Sequence, residues 1–500
     1  MAKSIATFEL VLPPREPKTQ AFRWLHAALR DAIIDGRLRP GARLPATRDL
    51  AVQHGLSRGT VVYAFDQLKA EGYLVGTVGS GTYVSKVLPE QLLQAPAAAA
   101  RTPATAAKQF WRLSQYAGRV EPFSSLEPRA SRAFRPNLPA LDLFPTTLWA
   151  QVAARRLRHV TTFQLLGCDP LGYPPLRQAV AAYLSSSRGV NCVPEQVVIV
   201  SGAQEAIDLT ARILLDPGDG VVMENPGYPG ARNSFSALGA KVMSLGLDEE
   251  GLRIQSAPRL GVRLAYVTPG HQFPLGVTMS LPRRLQLLEW ARETGASILE
   301  DDYDSEYRYS GRPVPALQGL DRRGAVLFTG SFSKVLFPSL RLGYLVLPED
   351  LIDRFSAVLS VTSRHAPLLD QAILCDFLTE GHFGRHLRRM RAIYAGRVGA
   401  LLEGARRHLT GLLDVSEVEA GLQTAGRLRH GVTGEAARTA GLRHGVEVIP
   451  LSDYQAGGDV EEGLQLGFAA VDEREIRRGV VQLAKALEEV RRGGSASPHR

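Results

Sequence analysis

Five short apolar runs, each closed by small or polar residues and separated by helix-period stretches, constrain the fold of this chain more than any other feature. They are Val197 to Ser201, Val221 to Glu224, Leu264 to Thr268, Ser297 to Glu300 and Val326 to Gly330. Alternating strand and helix signals predict an α/β fold with a largely parallel sheet and helices on both faces. Ligands bind beyond the carboxyl ends of such strands, and that is where the polar residues gather. Ser201-Gly202-Ala203-Gln204 opens a helix, and Asn225-Pro226-Gly227-Tyr228 follows a strand. Glu300-Asp301-Asp302-Tyr303 ends another, and Gly330-Ser331-Phe332-Ser333-Lys334 ends the next.

Two of these residues carry recognisable chemistry. A lysine amine can form a Schiff base with an aldehyde cofactor, and a strand-end carboxylate can pair with a pyridinium nitrogen and keep it protonated. Lys334, one strand beyond Asp301, fits that pairing and points to pyridoxal phosphate. Taken singly, each residue has an ordinary reading: a strand-end aspartate caps helices, a tyrosine after Pro-Gly makes turns, and Ser-Phe-Ser-Lys arises by chance. Their order on successive elements is what gives them weight.

A chain of 500 residues with 45% hydrophobic content exceeds one domain, so two or three are expected. No apolar run approaches the roughly 20 residues of a membrane span, and Met1-Ala2-Lys3-Ser4 does not begin a signal peptide, so a cytoplasmic protein is expected. Cys168, Cys192 and Cys375 are far apart and in no ligand spacing, which reads as reduced packing cysteines with no disulfide and no metal. Net charge is +9, and the first 90 residues hold 12 Lys/Arg against 8 Asp/Glu, +4 of that total. The tilt suits an anionic partner for the N-terminal part.

In that part, Phe22, Leu25, Leu29, Ala32 and Ile33 recur at helical spacing until Gly36 and Pro40-Gly41 stop the pattern. Thr47 is placed to cap a short second helix, Gly55 to turn the chain, and Ser57 to cap a third helix from Arg58 to about Glu71. Two β-type runs, Tyr73 to Val75 and Thr82 to Val84, flank Gly76 and Gly79-Ser80-Gly81 as a hairpin or wing. Residues 18–86 thus resemble the GntR-type winged helix-turn-helix, whose pattern Leu38-Arg39-Pro40-Gly41-Ala42-Arg43-Leu44-Pro45 and Ser57-Arg58-Gly59-Thr60-Val61 match. The resemblance implies binding to double-stranded DNA. The N-terminal end of the third helix would enter the major groove, with Arg58 and Thr60 toward base edges and Ser57 toward a phosphate. Arg43, Arg48 and the wing residues Gly79 and Ser80 would add contacts.

Residues 87–130 read as an Ala/Pro-rich linker, with Gln94-Ala95-Pro96-Ala97-Ala98-Ala99-Ala100 and Thr102-Pro103-Ala104-Thr105 offering neither period nor core. As a flexible coil it would reach on the order of 35 Å, about one turn of DNA, less any ordered stretch around Phe110 to Tyr116.

Residues 131–490 resemble fold type I aminotransferases, with a smaller C-terminal α+β subdomain from about 375 to 490. The resemblance implies that Gly202, Ala203 and Gln204 offer donors to the cofactor phosphate at a helix N-terminus, helped by the Ser331 and Ser333 hydroxyls. Tyr228 would stack on the pyridine ring and Asp301 would pair with its nitrogen. Tyr303 would bond the ring hydroxyl, Lys334 would carry the aldimine, and Arg341 would complete the phosphate clamp or meet a ligand carboxylate. A winged helix joined to such a domain resembles the MocR-type subfamily of GntR regulators. Gly270-His271-Gln272-Phe273-Pro274 and Glu300-Asp301-Asp302-Tyr303-Asp304-Ser305-Glu306-Tyr307 are similar to that subfamily in particular. This implies a homodimeric transcription factor that senses pyridoxal phosphate or an amine or amino-acid effector.

Three departures from the enzymes bear on chemistry. Gln465-Leu466-Gly467-Phe468 stands where they have Arg-Leu-x-Phe, the arginine that takes the substrate carboxylate. Phe273 stands for an asparagine before proline, and no tyrosine closely precedes Asp169-Pro170. A neutral glutamine cannot form the charged bidentate pair of an arginine, so a sensor with little or no turnover is expected. A working aminotransferase with an appended DNA-binding domain, or a DNA-binding dimer with an empty body, are the alternatives.

Overall fold

A computed structural model describes residues 11–15, 19–77, 81–88, 111–121, 131–311, 314–457 and 461–494. The chain divides into two compact units on either side of the Trp111–Arg112 bond.

The first unit comprises α1 (Ala21–Ile34), α2 (Thr47–Gln53), α3 (Arg58–Ala70) and the antiparallel pair β1 (Leu74–Thr77) and β2 (Gly81–Val84), with Leu74 opposite Val84. Leu25, Leu29 and Ile33 of α1 meet Leu50 of α2 and Val61, Phe65 and Leu68 of α3 in one buried cluster. Burying each such side chain is worth about 1.5–3 kcal/mol, and this stabilises helices too short to persist alone. α3 begins on a true cap, Ser57 Oγ accepting the Thr60 N–H at 3.1 Å. α2 does not begin as its sequence suggests. Ala46 holds the cap position in extended conformation and its carbonyl takes the Leu50 N–H at 3.0 Å, so Thr47 is already inside the helix and its hydroxyl caps nothing. Gly79 and Ser80 lie outside the described residues, as does most of the linker.

The second unit begins with a short helix, Gln115–Arg119, within the span read as linker. Arg119 Nε donates to the Ala237 carbonyl at 3.2 Å, and the Arg212 guanidinium lies 5.4 Å from the centre of the Tyr116 ring. After helices Thr146–Arg158, Thr162–Leu166 and Pro174–Arg188 come β3 (Val197–Val200), β4 (Gly220–Glu224), β5 (Lys241–Leu245), a small hairpin of β6 (Leu247–Asp248) and β7 (Gly251–Leu252), then β8 (Val262–Val267), β9 (Ser297–Asp302), β10 (Val326–Ser331) and β11 (Gly343–Val346). Seven of these strands form one sheet in the order β3-β11-β10-β9-β8-β4-β5. All neighbours are parallel except β11, which runs against both β10 and β3.

Both faces of this sheet are covered, which explains why the strands read as continuous apolar runs. Val198, Val200, Val221, Met223, Leu264, Tyr266, Leu299 and Leu327 face one core cluster, while Val222, Ala265, Val267, Ile298 and Val326 alternate to the other side. β9 extends past its apolar run, so Asp301 and Asp302 belong to the strand. β5 and β11 carry no clear strand signal of their own: Lys241–Leu245 is only half-buried and Gly343–Val346 starts on glycine.

The C-terminal part adds an antiparallel sheet of β12 (Leu413–Val415), β13 (Gln423–Leu428), β14 (Ile449–Pro450) and β15 (Gly463–Gly467), ordered β12-β13-β15-β14. Helices His382–His408, Gly434–Arg443 and Glu473–Gly494 accompany it. Among the described residues no helix is long and apolar enough to cross a membrane, and no group of His, Cys, Asp and Glu could hold a metal ion.

Candidate functional site

Strand register gathers the site. Asp301 of β9 lies opposite Thr329 of β10, Ser331 opposite Gly343 of β11, and Gly343 opposite Val200 of β3. The carboxyl ends of three strands and the start of the reversed one therefore share one edge, and the residues singled out on four separate segments converge there.

Asp301 is buried. Its Oδ2 accepts the Tyr266 hydroxyl at 2.6 Å, while Oδ1 is buried with no partner. Burial pushes its pKa up to about 7, against the lowering effects of Tyr266 and Lys334. A buried carboxylate with one oxygen held and the other open suits a cationic N–H donor.

Lys334 follows β10 and its Nζ donates to the Asn137 carbonyl at 2.9 Å. Burial lowers its pKa to about 8, while Asp304 and Asp301 act in the opposite direction. A substantial neutral fraction at ordinary pH is what an attacking amine requires.

The anion end is assembled from β3 and β11. Gly202 (φ +95°, ψ 170°) precedes the helix Ala203–Leu214, and a Cβ placed on it would stand 3.5 Å from the guanidinium carbon of Arg341. The Ser331 hydroxyl accepts the Ser333 N–H at 3.1 Å, and Ser333 Oγ is buried without a partner. Helix N–H groups, a guanidinium and an unsatisfied hydroxyl make a phosphate-type cradle. The Gln204 side chain is engaged elsewhere: Nε2 donates to the Gly230 carbonyl at 3.0 Å and Ser234 Oγ at 2.8 Å, and Oε1 accepts the Tyr228 hydroxyl at 3.2 Å. Its amide thus orients Tyr228, leaving its backbone N–H as the donor toward an anion.

An aromatic wall closes the other side. Phe273 packs edge-on against Tyr228 (5.5 Å between centroids), Tyr303 (5.8 Å) and Tyr454 (5.0 Å). The Tyr303 hydroxyl lies 3.1 Å from His271 Nδ1, itself 2.9 Å from Asp304 Oδ1. Burial, with Asp304 and Asp301 nearby, holds the Tyr303 phenol protonated far above its ordinary range. Gln465 is fully buried, its Oε1 accepting the Tyr454 hydroxyl at 2.6 Å.

Sequence reasoning missed Tyr266, Asn137 and Gln423. Tyr266 could have been found as the one phenol in an apolar strand beside that of Asp301. Asn137 and Gln423 reach the site only through tertiary contacts and leave no local signal.

On the first unit, Ser57, Arg58, Arg43 and Arg48 are exposed to varying degrees, none of them buried. The Thr60 hydroxyl lies 2.8 Å from Ser57 Oγ, so it is shared with the cap. Arg43 forms an isolated β-bridge with Tyr83, and its Nε would lie 3.0 Å from a Cβ on Gly81. This ties it to β2 of the wing.

Topology, lysine turn and helical head define a class: an aminotransferase-type body joined to a winged-helix DNA-binding module. The family of aminotransferase class I and II matches residues 142–483, and the gntR family of bacterial regulatory proteins matches residues 24–84. LysN, the α-aminoadipate aminotransferase of Thermus thermophilus, solved with N-(5'-phosphopyridoxyl)-L-leucine, superposes with a TM-score of 0.67 at 30% identity over 76% of this chain and 97% of its own. The probable rhizopine catabolism regulatory protein MocR of Rhizobium meliloti is 40% identical over 95% of both chains. The pyridoxine biosynthesis transcriptional regulator PdxR of Corynebacterium glutamicum is 29% identical over 97% of this chain and 99% of its own. The chain belongs to the MocR-type subfamily of GntR transcriptional regulators.

Proposed function

We propose that this protein binds pyridoxal phosphate in its body, covalently through Lys334, and couples occupancy of that site by the cofactor or an amine to operator binding by its winged helix. The open, buried Oδ1 of Asp301 carries the reading: leaving it unpaired is costly, and a protonated ring nitrogen would satisfy it. Gly202, Ala203, the Gln204 backbone, Ser331, Ser333 and Arg341 would hold the phosphate, Tyr228 would cover the ring, and Tyr303 would meet the ring hydroxyl. When bound, the cofactor supplies an aldehyde and an electron-withdrawing ring; the chain supplies a low-pKa amine, the ring counter-charge and a water-poor aromatic wall.

Arg58, Thr60, Ser57, Arg43, Arg48, Gly79 and Ser80 would contact double-stranded DNA in the cytoplasm. A homodimer would present two such heads. The test is the visible absorption spectrum of the full chain with added pyridoxal phosphate, alongside affinity for a DNA site selected by the protein from random sequence. A Lys334-dependent band and a DNA affinity that changes with ligand support the reading; a protein that gains no band with excess cofactor overturns it.

A working aminotransferase is the second reading, favoured by the Lys334 and Asp301 pair and by the 32% identity to the 2-aminoadipate transaminase of Thermus thermophilus. The neutral Gln465 at the carboxylate position weighs against it. Sustained conversion of an amino donor to its oxo product without DNA would decide in its favour.

A further inference from the structure

Two buried glutamines border the site from the small sheet. In the β13–β15 ladder Gln423 lies opposite Gly467 and Ala425 opposite Gln465. Directly opposed residues share a face and residues two apart share a face, so Gln423 and Gln465 project to the same side as diagonal neighbours. Both are almost completely buried, with exposures of 1% and 0%.

Each amide has its oxygen occupied and its nitrogen unsatisfied. Gln423 Oε1 accepts the Asn137 N–H at 3.0 Å, which fixes the amide's orientation, because only the oxygen can accept. Gln465 Oε1 takes the Tyr454 hydroxyl at 2.6 Å. Both Nε2 atoms are buried without a completed hydrogen bond. Gln423 Nε2 acts as a donor toward the Tyr303 hydroxyl, but too loosely to satisfy it.

Their address ties them to the reactive amine. Asn137, whose N–H holds Gln423, is the residue whose carbonyl accepts from Lys334 Nζ. Tyr454, which holds Gln465, packs on Phe273, and Phe273 packs on Tyr303 and Tyr228. Arg438 and Asp453, the charges felt by Tyr454, are paired with each other. With Arg341 assigned to the phosphate and Arg135 paired with Glu447, the donors that remain on this side, Gln423 and Gln465, are neutral, and the carboxylates near Lys334, Asp301 and Asp304, are negative. A ligand carboxylate brought into this setting would be buried without a counter-charge, which is unfavourable. Neutral oxygens would satisfy both donors.

We propose that the amine taken at this site carries no carboxylate and is held through neutral oxygens, as in amino alcohols and amino amides, with Gln423 and Gln465 each donating one hydrogen bond from Nε2. This rests on the reading of Lys334 as the cofactor lysine.

The test uses the full chain loaded with pyridoxal phosphate and titrated with serine, serinamide and serinol, following the absorption band and retention of the selected DNA site. Serinamide or serinol should shift the band at roughly tenfold lower concentration than serine. The one that leads distinguishes a carbonyl from hydroxyls as the recognised oxygen. In Gln465→Arg the order should reverse in favour of serine, and Gln423→Leu should weaken the neutral ligands about tenfold. The cofactor band itself reports that each variant is folded. A loaded wild-type protein that takes serine as readily as the neutral pair, or discriminates none of the three, overturns the proposal. Absence of any Lys334-dependent band would instead remove the underlying cofactor reading, a distinct and separately visible failure.

Discussion

Gly202 and Arg341 face one another across the edge of the main sheet, a Cβ on the glycine falling 3.5 Å from the guanidinium carbon. The pairing exists because β3 and β11 are antiparallel neighbours, with Val200 opposite Gly343, so the second residue past one strand meets the second residue before the other. Gly202 also holds φ +95° and ψ 170°, a region open essentially to glycine alone. Gly202→Ala should therefore cost on the order of 1–3 kcal/mol in strain and crowd the anion cradle. Thermal melts should show lowered stability and a cofactor titration should show weakened binding. Arg341→Ala should weaken cofactor binding with little change in melting temperature; a comparable loss of stability would argue that this arginine is structural.

Replacing Lys334 should separate binding from attachment. Lys334→Ala loses the amine while leaving Asp301, the cradle and Tyr228 in place, so the visible band should vanish until an amine is added. Circular dichroism and melting temperature should stay near wild type. A variant that keeps the band would show that another group holds the aldehyde.

Asp301 sets opposing demands on the empty and loaded protein. Its folded pKa of about 7 stands above the ordinary value of 3.8. The folded chain thus keeps a proton that the unfolded chain releases. The associated stability is complete below about pH 4 and is lost as pH rises toward 7. Asp301→Asn removes that dependence. Without cofactor it should melt higher than wild type at pH 8 and alike at pH 4, while binding pyridoxal phosphate about tenfold more weakly or worse. Glu224 and Glu306, also pushed up to about 7 by burial, should keep part of the slope in the variant.

The rate of cofactor attachment should report Lys334 directly. With its pKa near 8, the neutral amine fraction rises through that pH and then saturates. Stopped-flow absorbance should show the rate climbing to a plateau above pH 8. A rate still climbing at about pH 10, as for an ordinary lysine, would contradict the buried environment.

On the head, Arg58→Ala should cost about 1–3 kcal/mol in operator affinity and relax specificity at one base position. Arg48→Ala should weaken specific and non-specific DNA alike and reduce the salt slope by about one. Ser57→Ala should lower stability by about 1 kcal/mol through the lost cap on Thr60. Fluorescence anisotropy across a salt series separates the three.

Legibility followed the range of the interactions. The strands ending at Val200, Glu224 and Ser331, the Ser57 cap and the turn bearing Lys334 are written in local pattern and turn chemistry, so they could be read directly. The α2 start was misplaced at Thr47 because Pro45 and Ala46 already set the extended entry, a backbone effect that capping preference does not encode. β11, no shorter than β3, stayed hidden because it opens on Gly343 directly after the loop bearing Lys334 and Arg341 and reads as its continuation. Gln423 and Asn137 matter through contacts between segments far apart in sequence, which no window along the chain contains. Gln204 was legible as a site residue, yet the partners of its side chain, Gly230 and Ser234, depend on how two helices pack.

The reversal of β11 has a consequence for how the chain could be re-engineered. Lys334 and Arg341 sit on one short excursion whose two ends are clamped by adjacent strands, Ser331 against Gly343. Opening the chain within that excursion and rejoining it elsewhere would give each new terminus one of the two cations. It would turn a single covalent loop into two independently fraying arms, with the sheet beneath left intact.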